Sequence, residues 1–286
     1  MSFLDNVITE KPAIVIDIGH AYTKCGFAGE NGPHTIIPSK IIQNNVTIKI
    51  HDYKAHKKSN SSNFNLKSID IEEESLKEIL NDFLFRIFFK ILNSNARERK
   101  VVIVESILTD SFFRKVLADV LYKSFQVLSV LFLPSHLATL YALGLNTGLV
   151  IDCGFVDCQL LPITESVPMS GLCDFVNLGA QKIHQEIEKL IRQYAFITIN
   201  NQKTKLSDLT PQLNFTEETI EDIKLRCCFV TNFERSRQIQ EEIKSVDSNS
   251  LANLKFNFAS DCDYNLDDKT LHLPGFVRET AFEVFF

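Results

Sequence analysis

One pattern occurs twice in this chain and constrains its fold more than any other. Ala13-Ile14-Val15-Ile16-Asp17-Ile18-Gly19-His20-Ala21-Tyr22-Thr23-Lys24-Cys25-Gly26-Phe27 is an apolar run into an aspartate, then a glycine turn and a short returning strand. Gly148-Leu149-Val150-Ile151-Asp152-Cys153-Gly154-Phe155-Val156-Asp157-Cys158-Gln159-Leu160-Leu161-Pro162 repeats it, with Asp152 on Asp17 and Gly154 on Gly19. Each copy predicts a tight β-hairpin, and the first strand of the first copy is expected to be buried on both faces. The duplication predicts two related halves, residues 1–145 and 146–286.

Between the copies the pattern alternates. Gly29-Glu30-Asn31-Gly32-Pro33 closes a turn before an extended segment from His34 to Ser39, and residues 40–53 hold another weak strand. Lys54 to Asn65 is polar and reads as an exposed loop. From Glu72 the period becomes helical. Leu76, Ile79, Leu80, Phe83, Leu84, Ile87, Phe88, Ile91 and Leu92 form one wide apolar face, whose natural reading is core. Lys100 to Glu105 is a strand, Asp110 caps a helix through Leu121, and Val127 to Leu133 is a second strand. Pro134 then opens a helix from Ser135 to Leu143. This order implies parallel pairing beside the first hairpin.

The second half restarts at Gly148. Asn177-Leu178-Gly179-Ala180 leads into a helix with Ile183, Ile187, Leu190 and Ile191 on one face. Asn200 to Asn214 reads as a polar surface insertion, and Thr216 as the N-cap of a helix with Glu217 and Glu218 in its first turn. Residues 245–270 read as irregular and polar. An amphipathic segment from Gly275 ends on Phe285-Phe286, which leads to the expectation that more chain follows.

Composition narrows the classes. A chain of 286 residues, 45% hydrophobic, can bury a sizeable core. A net charge of −6 argues against a general nucleic-acid or membrane-surface binder. Residues 1–11 read as a disordered lead without a signal segment, and seven cysteines without a framework fit reduced thiols in the cytosol or nucleus. Charged residues interrupt Leu76 to Leu92, so that run is no membrane span. Neither Cys153 with Cys158 nor Cys227 with Cys228 has zinc-ligand spacing, and inert buried thiols are expected. His136 is expected to pack rather than react, and no nucleophilic triad follows from residue order.

The duplicated Asp-x-Gly hairpin resembles the phosphate loops of the superfamily that contains actin, Hsp70 and the sugar kinases. Lys24-Cys25-Gly26-Phe27-Ala28-Gly29-Glu30, with Pro33 and Ile37-Pro38-Ser39 after it, is similar to the first loop of the actin family and its sequel. Glu221-Asp222-Ile223-Lys224-Leu225-Arg226-Cys227-Cys228-Phe229-Val230 is similar to an actin helix on the adenine side of the cleft. Val101 to Ser106, Leu133 to Leu137 and Val150 to Gly154 resemble the actin-related class at the pointed end of dynactin. The resemblance runs from about Pro12 to the last residue.

It implies an α/β fold of two ribonuclease-H-like domains, the second incomplete at its C-terminus, with residues 34–70 as a small second subdomain. It also implies a site for ATP with magnesium, in which turn amides face phosphates and two aspartates hold a hydrated ion. On this chain the matching positions are Asp17, Gly19, His20, Ala21, Tyr22 and Lys24 in the first loop, Asp152, Gly154, Phe155 and Val156 in the second, and Lys224. No direct metal ligand is assigned.

The departures from the family are substantial. His20 and Ala21 stand where actin has serine and glycine, adding bulk near a γ-phosphate position and disfavouring positive φ. Phe155 and Val156 replace an acidic residue and a glycine. Actin's water-positioning glutamine falls on Ser135, its nearby histidine on Gln159, and the glutamate beside Lys224 is Leu225.

The favoured reading is therefore a non-catalytic structural subunit at the pointed end of dynactin's actin-like filament, in the cytoplasm and cytoskeleton, supporting dynein-driven microtubule-based transport. Its implied partners are the actin-like filament subunits and the other pointed-end subunits. The polar Lys54–Asn65 stretch lacks the apolar tip of actin's inserting loop, which would block further subunits. The alternatives are an ATP-hydrolysing member of the superfamily, and a truncated isoform with no assembled role.

Overall fold

The computed structural model describes residues 11–43, 46–51, 66–199, 202–209, 213–245, 257–266 and 268–283. The expected lead at 1–10, the Lys54–Asn65 loop and Phe285-Phe286 lie outside them. Two compact units emerge, Met1–Val176 and Asn177–Phe286.

The first unit is built on the first hairpin. Strand β1 (Ile14–Ile18) runs antiparallel to β2 (Tyr22–Phe27), which pairs with β3 (Thr35–Pro38). Residues 40–51 carry two short strands rather than the one expected, β4 (Lys40–Gln43) and β5 (Val46–Lys49), paired as a separate hairpin. Helix α1 (Leu66–Phe85) begins before Glu72, because its first turns carry too few apolar residues for periodicity to report them. Its apolar face continues through a π-helical turn, Arg86–Ile91. Phe83, Leu84, Ile87 and Phe88 are fully buried, each contributing about 1.5–3 kcal/mol of apolar burial.

Strand β6 (Lys100–Glu105) lies parallel to β1, α2 (Ser111–Asp119) follows, and β7 (Ser129–Pro134) lies parallel to β6. The Asp110 carboxylate caps α2 by accepting the Phe112 amide at 3.1 Å. The sheet order is β3-β2-β1-β6-β7, the mixed sheet implied for one half. Ile14 and Ile16 pack with α1 and α2 in the core, whereas Val15 is only half-buried. Strand β1 is thus fully buried on one face, not two.

Helix α3 (Ser135–Ala142) leads to the second hairpin, β8 (Gly148–Cys153) and β9 (Cys158–Thr164). Strands β10 (Val167–Pro168) and β11 (Asp174–Val176) also pair with β9. Leu140 of α3 packs with Val150, Leu161 and Ile163. That shared core ties the second hairpin to α3, and the first compact unit runs on to Val176.

The second unit opens with α4 (Ala180–Tyr194), whose Ile183, Ile187, Leu190 and Ile191 are buried as its spacing predicts. Strands β12 (Phe196–Ile199) and β13 (Gln202–Lys205) follow, so the expected surface insertion contributes a strand, and Leu206 reaches the core. Thr216 caps α5 (Glu217–Cys227) by accepting the Thr219 amide. Helix α6 (Phe233–Ser245) lies where the sequence pattern predicts no element. The stretch expected to be irregular holds a hairpin, β14 (Cys262–Leu266) and β15 (Lys269–Leu273), in a sheet of order β13-β12-β15-β14. Leu271 and Leu273 bury one face of β15, which offsets the polar residues that disguised it. Helix α7 (Gly275–Thr280) closes the unit. No helix among the described residues is long and apolar enough to cross a membrane.

Candidate functional site

The two hairpins are structural copies as well as sequence copies. Asp17 pairs with Lys24 and Asp152 with Gln159, while Ile18 faces Thr23 as Cys153 faces Cys158. Each turn is closed by its glycine amide, Gly19 donating to Tyr22 O at 3.2 Å and Gly154 to Asp157 O at 2.8 Å. A Cβ on Gly19 would sit 2.7 Å from Tyr22 O, and one on Gly154 would sit 3.1 Å from Asp157 O. Close approach is why both positions are glycine, for neither uses a positive φ. His20, Ala21, Phe155 and Val156 also keep φ negative, so the turns do without the second glycine.

In the first loop, Lys24 Nζ donates to Asp17 Oδ2 at 3.2 Å on the exposed end of the hairpin. Thr23 points into the core, where its hydroxyl and that of Ser39 lie 2.8 Å apart. The Ser39 amide donates to Ala21 O, so the Ile37-Pro38-Ser39 stretch fastens the loop from behind. His20 stacks on His51, with ring centroids 4.3 Å apart, and His51 stacks on Phe113 of α2 at 5.4 Å. The side chain expected only to add bulk therefore ties the turn to residues after β5. Tyr22 is nearly half exposed.

The second loop has its own network. Ser135 Oγ donates to Asp152 Oδ2 at 3.1 Å and lies 3.3 Å from His136 Nδ1. Sequence order did not suggest this trio. The arrangement differs from a nucleophilic triad, for the serine hydrogen goes to the carboxylate and the carboxylate does not orient the imidazole. His136 is completely buried, as expected for packing, and its Nε2 has no hydrogen-bond partner among the described residues. Gln159 accepts from Ser106 Oγ at 2.9 Å and donates to Asp157 Oδ2 at 3.1 Å, bracing the turn against β6. Phe155 and Val156 are half-buried.

Lys224 belongs to the second unit, in a constellation the sequence reading did not contain. Its ammonium donates to Glu221 Oε2 at 2.5 Å, and Glu221 lies 2.6 Å from His184 Nε2. Burial, then the Lys224 charge, holds the His184 imidazole below its usual range despite Glu221. Burial pushes Glu221 up, but the Lys224 and His184 contacts outweigh it and leave the carboxyl low. An i, i+3 Glu-Lys pair was visible in the sequence; its histidine lies 37 residues earlier than Glu221.

The cysteines correct an expectation. Cys227 is buried, but Cys153 is exposed and Cys158 half-buried. Their sulfurs lie 3.4 Å apart across the hairpin. Among the described residues no cluster of three or more His, Cys, Asp or Glu side chains is placed to hold a metal ion.

The donors at the two loops suit a magnesium nucleotide in kind: one ammonium for phosphate oxygens, and two carboxylates for the water shell of an ion. Lys24 would face the phosphates, and Asp17 and Asp152 the hydrated ion.

The family model described as Actin matches residues 8–285. Actin-related protein 10 of Dictyostelium discoideum is 28% identical over 258 residues, covering 82% of this chain and 54% of that protein. Actin-related protein 2 of Arabidopsis thaliana is 22% identical over 240 residues, covering 80% and 58%. Actin-related protein 4 of Debaryomyces hansenii is 23% identical over 218 residues, covering 70% and 44%. The chain spans about half the length of the curated relatives it matches.

Proposed function

The chain belongs to the actin family, and from that premise we propose that the protein is a non-catalytic structural subunit, placed at the pointed end of an actin-like filament of the dynactin type. The observation that carries the non-catalytic part is the Ser135–Asp152 hydrogen bond. In-line phosphoryl transfer to water needs a group that holds the attacking water, and an amide does that in actin. Ser135 is shorter and spends its hydroxyl hydrogen on the aspartate. The stacked His20–His51–Phe113 rings supply a second brace, better suited to a fixed loop than to one that responds to hydrolysis.

Placement at the filament end is supported by the similarity to an actin-related protein 10 and by the polar composition of residues 54–65. The partners are then actin-like filament subunits and other pointed-end subunits, in the cytoplasm, with a role in dynein-driven transport. ATP with magnesium, held through Lys24, Asp17 and Asp152, would serve as a structural occupant. The test is phosphate release from ATP by the purified protein. Release no greater than a protein-free blank is expected. Release above the blank that disappears in Asp152→Ala would favour the ATP-hydrolysing alternative.

A further inference from the structure

The second Asp-x-Gly hairpin carries a feature that the first does not: a thiol on each strand at the same level. Cys153 ends β8, Cys158 begins β9, and the two are direct cross-strand partners. The Gly154 amide bonds to Asp157 O, so Cys153 and Cys158, one step further in, form a non-hydrogen-bonded pair. Such pairs have the closer Cα spacing, about 4.5 Å, within the range a disulfide spans. The sulfurs are already 3.4 Å apart. Cys153 is exposed and therefore open to a small oxidant.

We propose that Cys153 and Cys158 are a dithiol modification site, oxidised by peroxide to a disulfide that closes the base of the loop Gly154–Asp157. The Cys153 thiolate attacks one peroxide oxygen. The O–O bond breaks, a sulfenic acid forms on Cys153, and the departing hydroxide takes up a proton as water. Cys158, losing its thiol proton, then attacks the Cys153 sulfur. The S–S bond forms, the S–O bond breaks, and the hydroxide released takes that proton as a second water. Two thiols are oxidised and one peroxide is reduced to two waters. Burial, then the contact with Cys153 and the nearby carboxylates, pushes the Cys158 thiol up, which makes it a poor first target for peroxide.

The bridge encloses few residues and so removes less unfolded-chain entropy than a long-loop disulfide would. Its effect is local, fixing the strand end next to Asp152 and the turn that Gln159 braces. The other close pair, Cys227 and Cys262 at 3.8 Å, is a poorer candidate. Cys227 is buried, and its thiol is pushed up to about 12, chiefly by burial and then by Cys262.

The experiment treats the purified chain with stoichiometric hydrogen peroxide, blocks free thiols with iodoacetamide and digests with chymotrypsin. Cleavage after Phe155 separates the two cysteines, so only a disulfide keeps their fragments joined. The expected product is the joined pair, lighter by two hydrogens and separated by dithiothreitol, formed before Cys227, Cys228 or Cys262 reacts. In Cys158→Ser, dimedone should trap a sulfenic acid on Cys153. Alkylation of both cysteines, a sulfinic acid on Cys153 as the first product, a Cys227–Cys262 bond formed first, or joined fragments that come only from covalent dimers would each overturn the proposal.

Discussion

Ser135 donates its hydroxyl hydrogen to Asp152 Oδ2 across 3.1 Å, joining the first turn of α3 to the last residues of β8. Position 135 is where the family resemblance expects an amide aimed at water. Here the side chain faces a carboxylate of its own chain instead. Leu140 packed on Val150 and Leu161 ties the helix to the hairpin a second time.

That bond predicts a small structural effect without a catalytic one. Ser135→Ala should lower the stability of the first unit by about 1 kcal/mol, the usual net worth of such a hydrogen bond. Urea titration measures it, and phosphate release should stay at the blank. Phosphate release above the blank in the unmodified protein that is lost in this variant would contradict a role confined to structure.

The two turn glycines should differ in sensitivity. At Gly19 an added methyl would meet the Tyr22 carbonyl at 2.7 Å, a distance that forces the backbone to move. At Gly154 the corresponding approach is 3.1 Å, which a few tenths of an ångström relieve. Gly19→Ala should cost about 2–3 kcal/mol and Gly154→Ala about 1 kcal/mol or less. Equal costs in urea melts would mean that backbone freedom, not close approach, selects glycine there.

Acid should weaken the second unit through His184. Its folded pKa lies below the ordinary value of 6.5, so the unfolded chain binds the proton first as pH falls. Stability from this group is complete above that value and declines as pH drops towards the folded one. Glu221, held below 4.5, adds a loss at still lower pH. His184→Gln should flatten the dependence of the urea midpoint between about pH 7 and pH 5. An unchanged slope would place the titrating group elsewhere.

Glu279 offers a sharper stability test. It is almost completely buried on α7 and accepts from Arg235 on α6, one contact measuring 2.9 Å, and from the Ala259 amide at 3.2 Å. Arg235→Met should leave that carboxylate without its cation and cost about 2–3 kcal/mol. Replacing both residues with apolar ones should recover part of the loss. No recovery in the double variant would mean that Arg235 acts through its bond to Asn257 O instead.

Much of the first unit was legible because its signals are local and redundant. Asp17 and Asp152 announce their hairpins, and the Leu76–Leu92 periodicity announces α1. Thr216 and Asp110 mark helix starts through the amides they accept. The network around the loops was not legible, since Ser135 meets Asp152 and His20 meets His51 only after strands and helices pack. Strands β14 and β15 were missed for a related reason. Asp263, Asn265 and Lys269 obscure an alternation in which only Leu271 and Leu273 reach full burial. The exposed position of Cys153 was also hidden, because a cysteine in an apolar run reads as core.

Electron microscopy can locate the protein on a filament directly. The whole protein, labelled with gold, is mixed with filament-forming actin-like subunits, and both label position and filament length are recorded. A pointed-end subunit should give label at the pointed end alone and filaments shorter than those formed without it. Grafting an actin-type inserting loop over residues 40–66 should relieve the limit on length. Label at the opposite end or along the sides, or filaments of unchanged length, would contradict placement at the pointed end.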